Sequence, residues 1–335
     1  MAEPLEHADL SVAMCTHNGA AFVGEQVRSI LAQRPAPREL VVGDDASTDD
    51  TVSEVERAVS EARAAEPLLQ TRLTVLRRAE PLGVTANFAA TIAACSGALV
   101  ALSDQDDCWP AGRLERVMGT FRDPAVLLVH SDARLVDATG AALGATLLQV
   151  LEVSAADRDD LTRGDAWPVL LRRNLVTGAT VVVRRSLAER AQPFPASWVH
   201  DEWLAIVAAA HGGVRLIDEP LIDYRQHGAN VIGATRVTWS RRWQRLREPR
   251  DARAARLVAR AQALVERLPV QGVAESMMTD AHGKLAFERA RAAAPAWQPA
   301  RVPGIVARLL GGEYRRFARG PIDVLRDLVQ PPRER

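Results

Sequence analysis

Ala98-Leu99-Val100-Ala101-Leu102-Ser103-Asp104-Gln105-Asp106-Asp107 decides the fold of this chain. The first half is a short apolar run, the mark of a strand buried on both faces in a parallel sheet. The second half packs carboxylates where that strand ends. In open α/β sheets the carboxyl edge is where ligands bind. Crowded carboxylates repel one another unless a cation sits among them, and hard oxygen ligands suit Mg²⁺ or Mn²⁺. The stretch therefore predicts a divalent metal and, through it, a phosphate-bearing substrate. A solvated acidic turn capping the next helix is the plainer reading. It loses ground because a second acidic pair, Asp44-Asp45, follows Leu40-Val41-Val42 in the same way.

Around that stretch strands and helices alternate. Residues 10–15, 40–42 and 73–76 read as strands. Residues 21–32, 49–65 and 87–95 read as helices, from the spacing of Val27, Ile30 and Leu31 and of Val52, Val55 and Val59. This order predicts an α/β fold, Rossmann-like, with a mostly parallel sheet and helices on both faces. Right-handed crossovers place the loops after Cys15, Val42 and Leu102 on one edge. Past Trp109 the pattern loosens into an α+β half. Strands are expected at 125–129 and 180–183, a turn after Arg134-Leu135-Val136, a helix at 202–210, and two short strands either side of Pro220.

From about Thr235 the composition changes. Arg236, Arg241, Arg242, Arg245, Arg247, Arg250, Arg253, Arg256 and Arg260 face only Glu248 and Asp251. Trp239, Trp243 and Leu246 share a helical face, and Leu257, Leu264 and Leu268 follow at heptad-like spacing. A C-terminal helical extension is expected, its arginines on a solvated face. The alternative is a basic amphipathic helix on an anionic membrane surface. The same apolar stripe would otherwise pack on the rest of the chain or form a homodimer.

Composition bounds the function. The 335 residues are 47% hydrophobic and 25% charged, with a formal net charge of +0. That is ordinary globular composition and argues against a nucleic-acid binder. Cys15, Cys95 and Cys108 lack ligand-like spacing and suggest a reducing compartment. The N-terminus is acidic where a signal peptide would be basic, and no apolar run approaches a membrane span of about 20 residues. A cytoplasmic protein, at most peripheral to a membrane, is expected.

The first strand ends in Cys15-Thr16-His17-Asn18-Gly19. Asn18 and Gly19 tolerate positive φ and permit a tight turn whose backbone N–H groups would meet a ligand. Either Asp44 or Asp45 is free to bind a ribose hydroxyl or a base N–H, while Ser47 or Thr48 caps the following helix. There is no G-x-G-x-x-G and no Walker lysine.

Six runs in order resemble the family 2 glycosyltransferases of the GT-A fold: Ser11 through Gly19, Val42 through Asp49, Leu102 through Trp109, Asn174 through Thr180, His200 through Ala205, and Asp218 through Asn230. The last run and the Asp104 cluster resemble the rhamnosyltransferase-like branch. The resemblance covers about residues 9 to 233. It implies an inverting transfer of a sugar, rhamnose from dTDP-rhamnose or a hexose from a UDP-sugar, to a glycan or lipid-linked acceptor in cell-surface polysaccharide or glycolipid synthesis.

By the same resemblance, Thr16, Asn18 and Asp45 hold the nucleotide, Asp104 lies near the ribose, and Asp106 binds Mg²⁺ or Mn²⁺ with the diphosphate. Asp201 is the base, with helix capping as its ordinary alternative. Gly178 joins the donor site, and His227 approaches the metal, with a structural histidine as its ordinary alternative. Arg225, by its charge, suits neutralising phosphate in the donor site, with a surface ion pair as its ordinary alternative. Residues 1–130 then form the nucleotide-sugar half, 131–233 the acceptor and base half, and 234–335 the extension. Two departures stand out. Glu202 replaces an aromatic residue and puts a second carboxylate beside Asp201, and Pro110 directly follows Trp109. A nucleotidyltransferase making the sugar nucleotide is a competing reading, but it would want a basic, glycine-rich loop that His17-Asn18-Gly19-Ala20 lacks. A non-catalytic nucleotide-sugar scaffold is another.

Overall fold

The computed structural model describes residues 7–227 and 250–331. Strands β1 (His7–Thr16), β2 (Ala36–Asp44), β3 (Arg72–Arg77) and β4 (Leu99–Ser103) alternate with helices α1 (Val23–Leu31), α2 (Thr51–Ala65) and α3 (Val84–Ala93). All four strands pair in parallel, in the order β3-β2-β1-β4. Successive side chains take opposite faces of the sheet. Leu10, Val12 and Met14 pack with Val27, Ile30 and Val55 on one side. Ala13, Val41, Val100 and Leu102 pack with Phe88, Ile92 and Trp203 on the other. Two buried faces explain the near-continuous apolar runs.

The chain then adds α4 (Arg113–Thr120), β5 (Leu128–Val136), β6 (Ala142–Thr146), α5 (Leu147–Val150), α6 (Ala155–Arg163), α7 (Ala166–Arg172), β7 (Val182–Arg184), α8 (Arg185–Ala191), α9 (His200–Ala210) and β8 (Val214–Arg225). Strand β7 bridges β4 and β5 antiparallel to both, and β8 runs parallel to β5. One eight-stranded sheet therefore continues across residue 130. Three expectations change here. The strand at 125–129 and the segment at 134–136 are one nine-residue strand, β5. The two short strands around Pro220 are one twelve-residue strand, β8. The register against β5 jumps from Ile217↔Ser131 to Pro220↔Asp132, a bulge that takes up the missing proline N–H. The helix expected at 202–210 begins at His200, so Asp201 lies in its first turn.

The described part of the extension is helical: α10 (Arg250–Arg267), α11 (Glu275–Ala292), α12 (Val302–Leu310), α13 (Glu313–Phe317) and α14 (Pro321–Val329). Helices α10 and α11 pack as a hairpin. Leu264, Leu268, Phe287, Tyr314 and Phe317 are buried in the same core as Trp198 and Trp203. Trp239, Trp243, Leu246 and the arginines from Arg236 to Arg247 lie outside the described residues. No helix among the described residues is long and apolar enough to cross a membrane.

Candidate active site

The ends of β1 and β2 are stitched into one surface. Thr16 Oγ1 donates to Asp44 Oδ1 at 2.8 Å, and Ser47 Oγ donates to the same oxygen at 2.5 Å. Asn18 sits at φ 48°, as a tight turn requires, and its Oδ1 accepts the Thr48 N–H at 2.8 Å. Ser47 and Thr48 are thus committed to Asp44 and Asn18. Helix α2 starts later, at Thr51, whose N–H donates to Asp49 Oδ1 at 3.0 Å, so the expected Ser47 or Thr48 cap does not form.

A second correction concerns the β1 loop. The N–H groups of His17, Asn18, Gly19 and Ala20 donate to Gln105, Ser47, Thr51 and Asp49 side chains at 2.7–3.1 Å, so they are not presented to a ligand. Gly19 is required for another reason than φ: a side chain there would collide with the Gln105 amide.

Asp45 projects from the other side of this turn. Its carboxylate accepts the N–H groups of Leu82 at 2.7 Å and Gly83 at 2.9 Å, just before α3. Helix α3 can approach β2 because Gly43 has no side chain, and Asn87 Nδ2 donates to the Gly43 carbonyl at 2.7 Å.

Beyond β4 the carboxylates crowd as the sequence suggested. Asp104 is pushed up to about 7, first by burial and then by the charges of Asp106 and Asp201. Asp107 is raised well above the ordinary carboxyl range by burial and by Asp104 and Asp106. Its Oδ1 accepts the Arg225 N–H at 3.0 Å, and its buried Oδ2 has no hydrogen-bond partner among the described residues. Asp106 Oδ2 lies 2.8 Å from His227 Nε2, and the His227 ring stacks on Phe22 with centroids 4.6 Å apart.

The donor set fits a hard divalent cation. Asp106 and His227 converge, and Asp104 and Asp107 crowd beside them. Among the described residues no group of three or more His, Cys, Asp or Glu forms a cage. Mg²⁺ needs none, since one or two protein groups with substrate phosphates and waters complete its shell.

Across the cavity, α9 presents Asp201. Burial pushes its carboxyl up to about 6, opposed by the N–H groups of Glu202 and Gly178. A side chain on Gly178 would lie 3.1 Å from His200 Nε2 and 3.4 Å from Asp201 Oδ2, so glycine keeps this space open. The second carboxylate is occupied: Arg260 of α10 lies 2.5 Å from Glu202 Oε2. Arg260 also stacks over Trp198, and Trp198 Nε1 donates to the Arg260 carbonyl at 3.1 Å. His200 was not singled out by sequence. It is 4% exposed and stacked on Phe88 at 3.9 Å, and both ring nitrogens lack partners among the described residues. Burial pushes it down to about 3, so it faces the cavity uncharged. Its place beside Asp201 was the signal available.

A single cavity of about 1000 Å³ joins these groups. Thr16, Asn18, Asp45, Asp104, Asp106, Gly178, Asp201 and His227 all line it. Arg225 does not. It is buried behind the acidic loop, donating to the Asp106 carbonyl at 2.8 Å, the Ala138 carbonyl at 2.9 Å and Glu25 at 2.8 Å.

This is the architecture of the GT-A fold, and comparison with known proteins agrees. Residues 11–143 match the family model described as Glycosyl transferase family 2. Among curated relatives, an uncharacterized glycosyltransferase of Nostoc sp. is 26% identical over 230 residues, 66% of this chain and 66% of its own length. An uncharacterized protein of Mycobacterium tuberculosis is 27% identical over 226 residues, 66% of this chain and 60% of its own. The match thus spans less than two thirds of either relative.

Two solved structures share the fold. A mannosyltransferase from Pyrobaculum calidifontis in complex with GDP-Man and Mn²⁺ has a TM-score of 0.51 at 23% identity, covering 98% of this chain and 86% of that one. TarS residues 1–349 of S. aureus with UDP-GlcNAc has a TM-score of 0.53 at 14% identity, covering 95% and 89%.

Proposed function

We propose that this protein is an inverting, metal-dependent glycosyltransferase. It moves a sugar from a nucleotide diphosphate sugar to an acceptor hydroxyl in polysaccharide or glycolipid synthesis. The donor is rhamnose carried on dTDP or a hexose carried on UDP. The observation that carries this reading is Asp201: one half-buried carboxyl lining the cavity, raised to about 6 by desolvation, across from an acidic cluster. Its neighbour Glu202 is engaged by Arg260.

In this reading the nucleotide lies along Thr16, Asn18 and Asp45, with the ribose at Asp104. Asp106 and His227 would hold Mg²⁺ or Mn²⁺. The cation's contribution, when bound, is to offset negative charge on the leaving diphosphate. Asp201 accepts the proton of the acceptor hydroxyl as its oxygen bonds to C1, and the C1–oxygen bond to the diphosphate breaks on the opposite face. One base and one displacement invert the anomeric centre. Gly178 leaves room for the sugar above Asp201. The uncharged His200 beside it adds no cation to lower the base. Arg225 serves the donor by fixing the acidic loop.

The spent N–H groups of residues 17–20 count against a nucleotidyltransferase, which would need that loop to cradle phosphates. A thermal-shift and hydrolysis screen with Mn²⁺ and a panel of nucleotide sugars tests the reading. One nucleotide class should stabilise the protein only with metal, and its sugar should be released slowly to water. A panel without any metal-dependent ligand would overturn it.

A further inference from the structure

The cavity does not end at Asp201. It continues under the extension, and its far wall is built by the end of α7, by α10 and by the segment from α13 to α14. We propose that this far wall, formed by Arg173, Arg253, Arg256, Arg319 and Arg326, is a subsite for a phosphate or diphosphate group on the acceptor. The proposal rests on the transferase reading, which makes this end of the cavity the acceptor side.

The wall holds more positive charge than the protein compensates. One buried carboxylate, Asp323, serves Arg253 and Arg326 at 3.2 Å each and lies 4.0 Å from Arg291. Arg326 has a side chain 12% exposed, and its buried Nε has no partner among the described residues. The guanidinium groups of Arg256 and Arg319 make no hydrogen bond or ion pair among the described residues, although both line the cavity. Arg173 is anchored to the Leu151 and Glu152 carbonyls at 3.0 and 2.9 Å and lies 4.0 Å from Asp157, which already pairs with Arg172 at 2.6 Å. It is held below the usual arginine range by burial and then by the like charge of Arg319. Arg253 is lowered by burial, and Arg326 and Arg291 lower it further. Arg173, Arg253, Arg319 and Arg326 are half-buried and Arg256 is exposed. Like charges set beside an open space are stabilised by an anion entering it. Several guanidinium forks around one space suit a group with several oxygens and more than one charge, which means phosphate rather than a single carboxylate.

The opposite end of the cavity gives a clean way to test this. Without metal the Asp104–Asp107 end repels anions, so an anion bound in EDTA reports the far wall. Inorganic pyrophosphate should bind the full chain saturably by calorimetry at low salt in EDTA. Arg256→Gln and Arg319→Gln should each weaken binding about tenfold, the scale of one charge-assisted hydrogen bond. Arg315→Gln, on an exposed position of α13 outside the cavity, should leave it unchanged. Absence of saturable binding in EDTA, or equal loss with Arg315→Gln, would overturn the subsite.

A parallel titration with an isoprenoid diphosphate in detergent separates the sources. Affinity equal to pyrophosphate assigns a water-borne phosphorylated acceptor, and at least tenfold tighter binding assigns a lipid-linked one. UDP or dTDP with Mn²⁺ is measured separately. If those nucleotides fail while pyrophosphate binds in EDTA, the transferase reading falls and the anion site stands.

Discussion

The two ends of the cavity are charged oppositely and built differently. At the near end Asp45, Asp104 and Asp106 hang from loops that follow β2 and β4, held by backbone hydrogen bonds and by Arg225 behind them. At the far end Arg253, Arg256, Arg319 and Arg326 come from helices and their connections, gathered only because the extension packs on α7 and α9. The first end is a property of one sheet edge. The second exists only when distant parts of the chain have docked. The near end asks for a cation and the far end for an anion, with Asp201 between them.

The sharpest test acts on that midpoint. Asp201→Asn should cut transfer by about 10² or more, the usual scale for a lost general base, while metal-dependent nucleotide binding survives. Glu202→Gln should fall far short of this, because Arg260 already occupies that carboxylate. The reverse order of damage would move the base to Glu202.

At the near end, Asp106→Asn should weaken Mn²⁺-dependent nucleotide binding by about tenfold to a hundredfold, the range seen when a metal site loses part of its support. Pyrophosphate binding in EDTA should persist. Loss of both together would mean that the two ends are one site.

The pH profile gives a smaller effect. The proposed base must be ionised to accept a proton, and burial raises the Asp201 carboxyl to about 6. As pH falls through about 6 the ionised fraction drops, and below that activity should fall tenfold per pH unit. A flat profile from pH 7 to 5 would exclude Asp201 as the base.

The smallest effect tests the docking itself. Leu268 is 0% exposed at the join between the extension and the core. Leu268→Ala should cost about 2–5 kcal/mol, the range for a buried leucine. Unfolding should remain a single transition. A separate early transition would show that the far wall can leave while the near end stays folded.

The near end was legible because β-edge chemistry is local. An apolar run followed by Asp104-Gln105-Asp106 places a strand and the carboxylates at its end together, and the same holds for Leu40 through Asp45. The alternating order from β1 to β4 follows from the same pattern. Pro220 broke one strand into two on paper, because its missing N–H is absorbed by a bulge that depends on β5. Arg225 read as a phosphate-neutralising or surface-paired cation, yet it is buried and its partners Glu25, Asp106 and Ala138 are remote in sequence. The far wall was illegible for the same reason. Arg173, Arg256 and Arg319 are far apart along the chain, and an arginine-rich helix reads as a solvated face whether or not it borders a cavity. The part of the basic helix that is described places Arg253, Arg256 and Arg260 along that cavity.

Arg225 has a consequence for how the site comes apart. Its backbone N–H holds Asp107, its guanidinium holds the Asp106 carbonyl, and the same group reaches Ala138 and Glu25. Four stretches of chain thus share one buried residue at the end of β8. Small local fraying, the usual way a surface loop exchanges its amide hydrogens, is closed to residues 104–107 unless the end of β8 opens too. The acidic loop and the C-terminal end of β8 therefore form one cooperative unit of unfolding, although 118 residues separate Asp107 from Arg225.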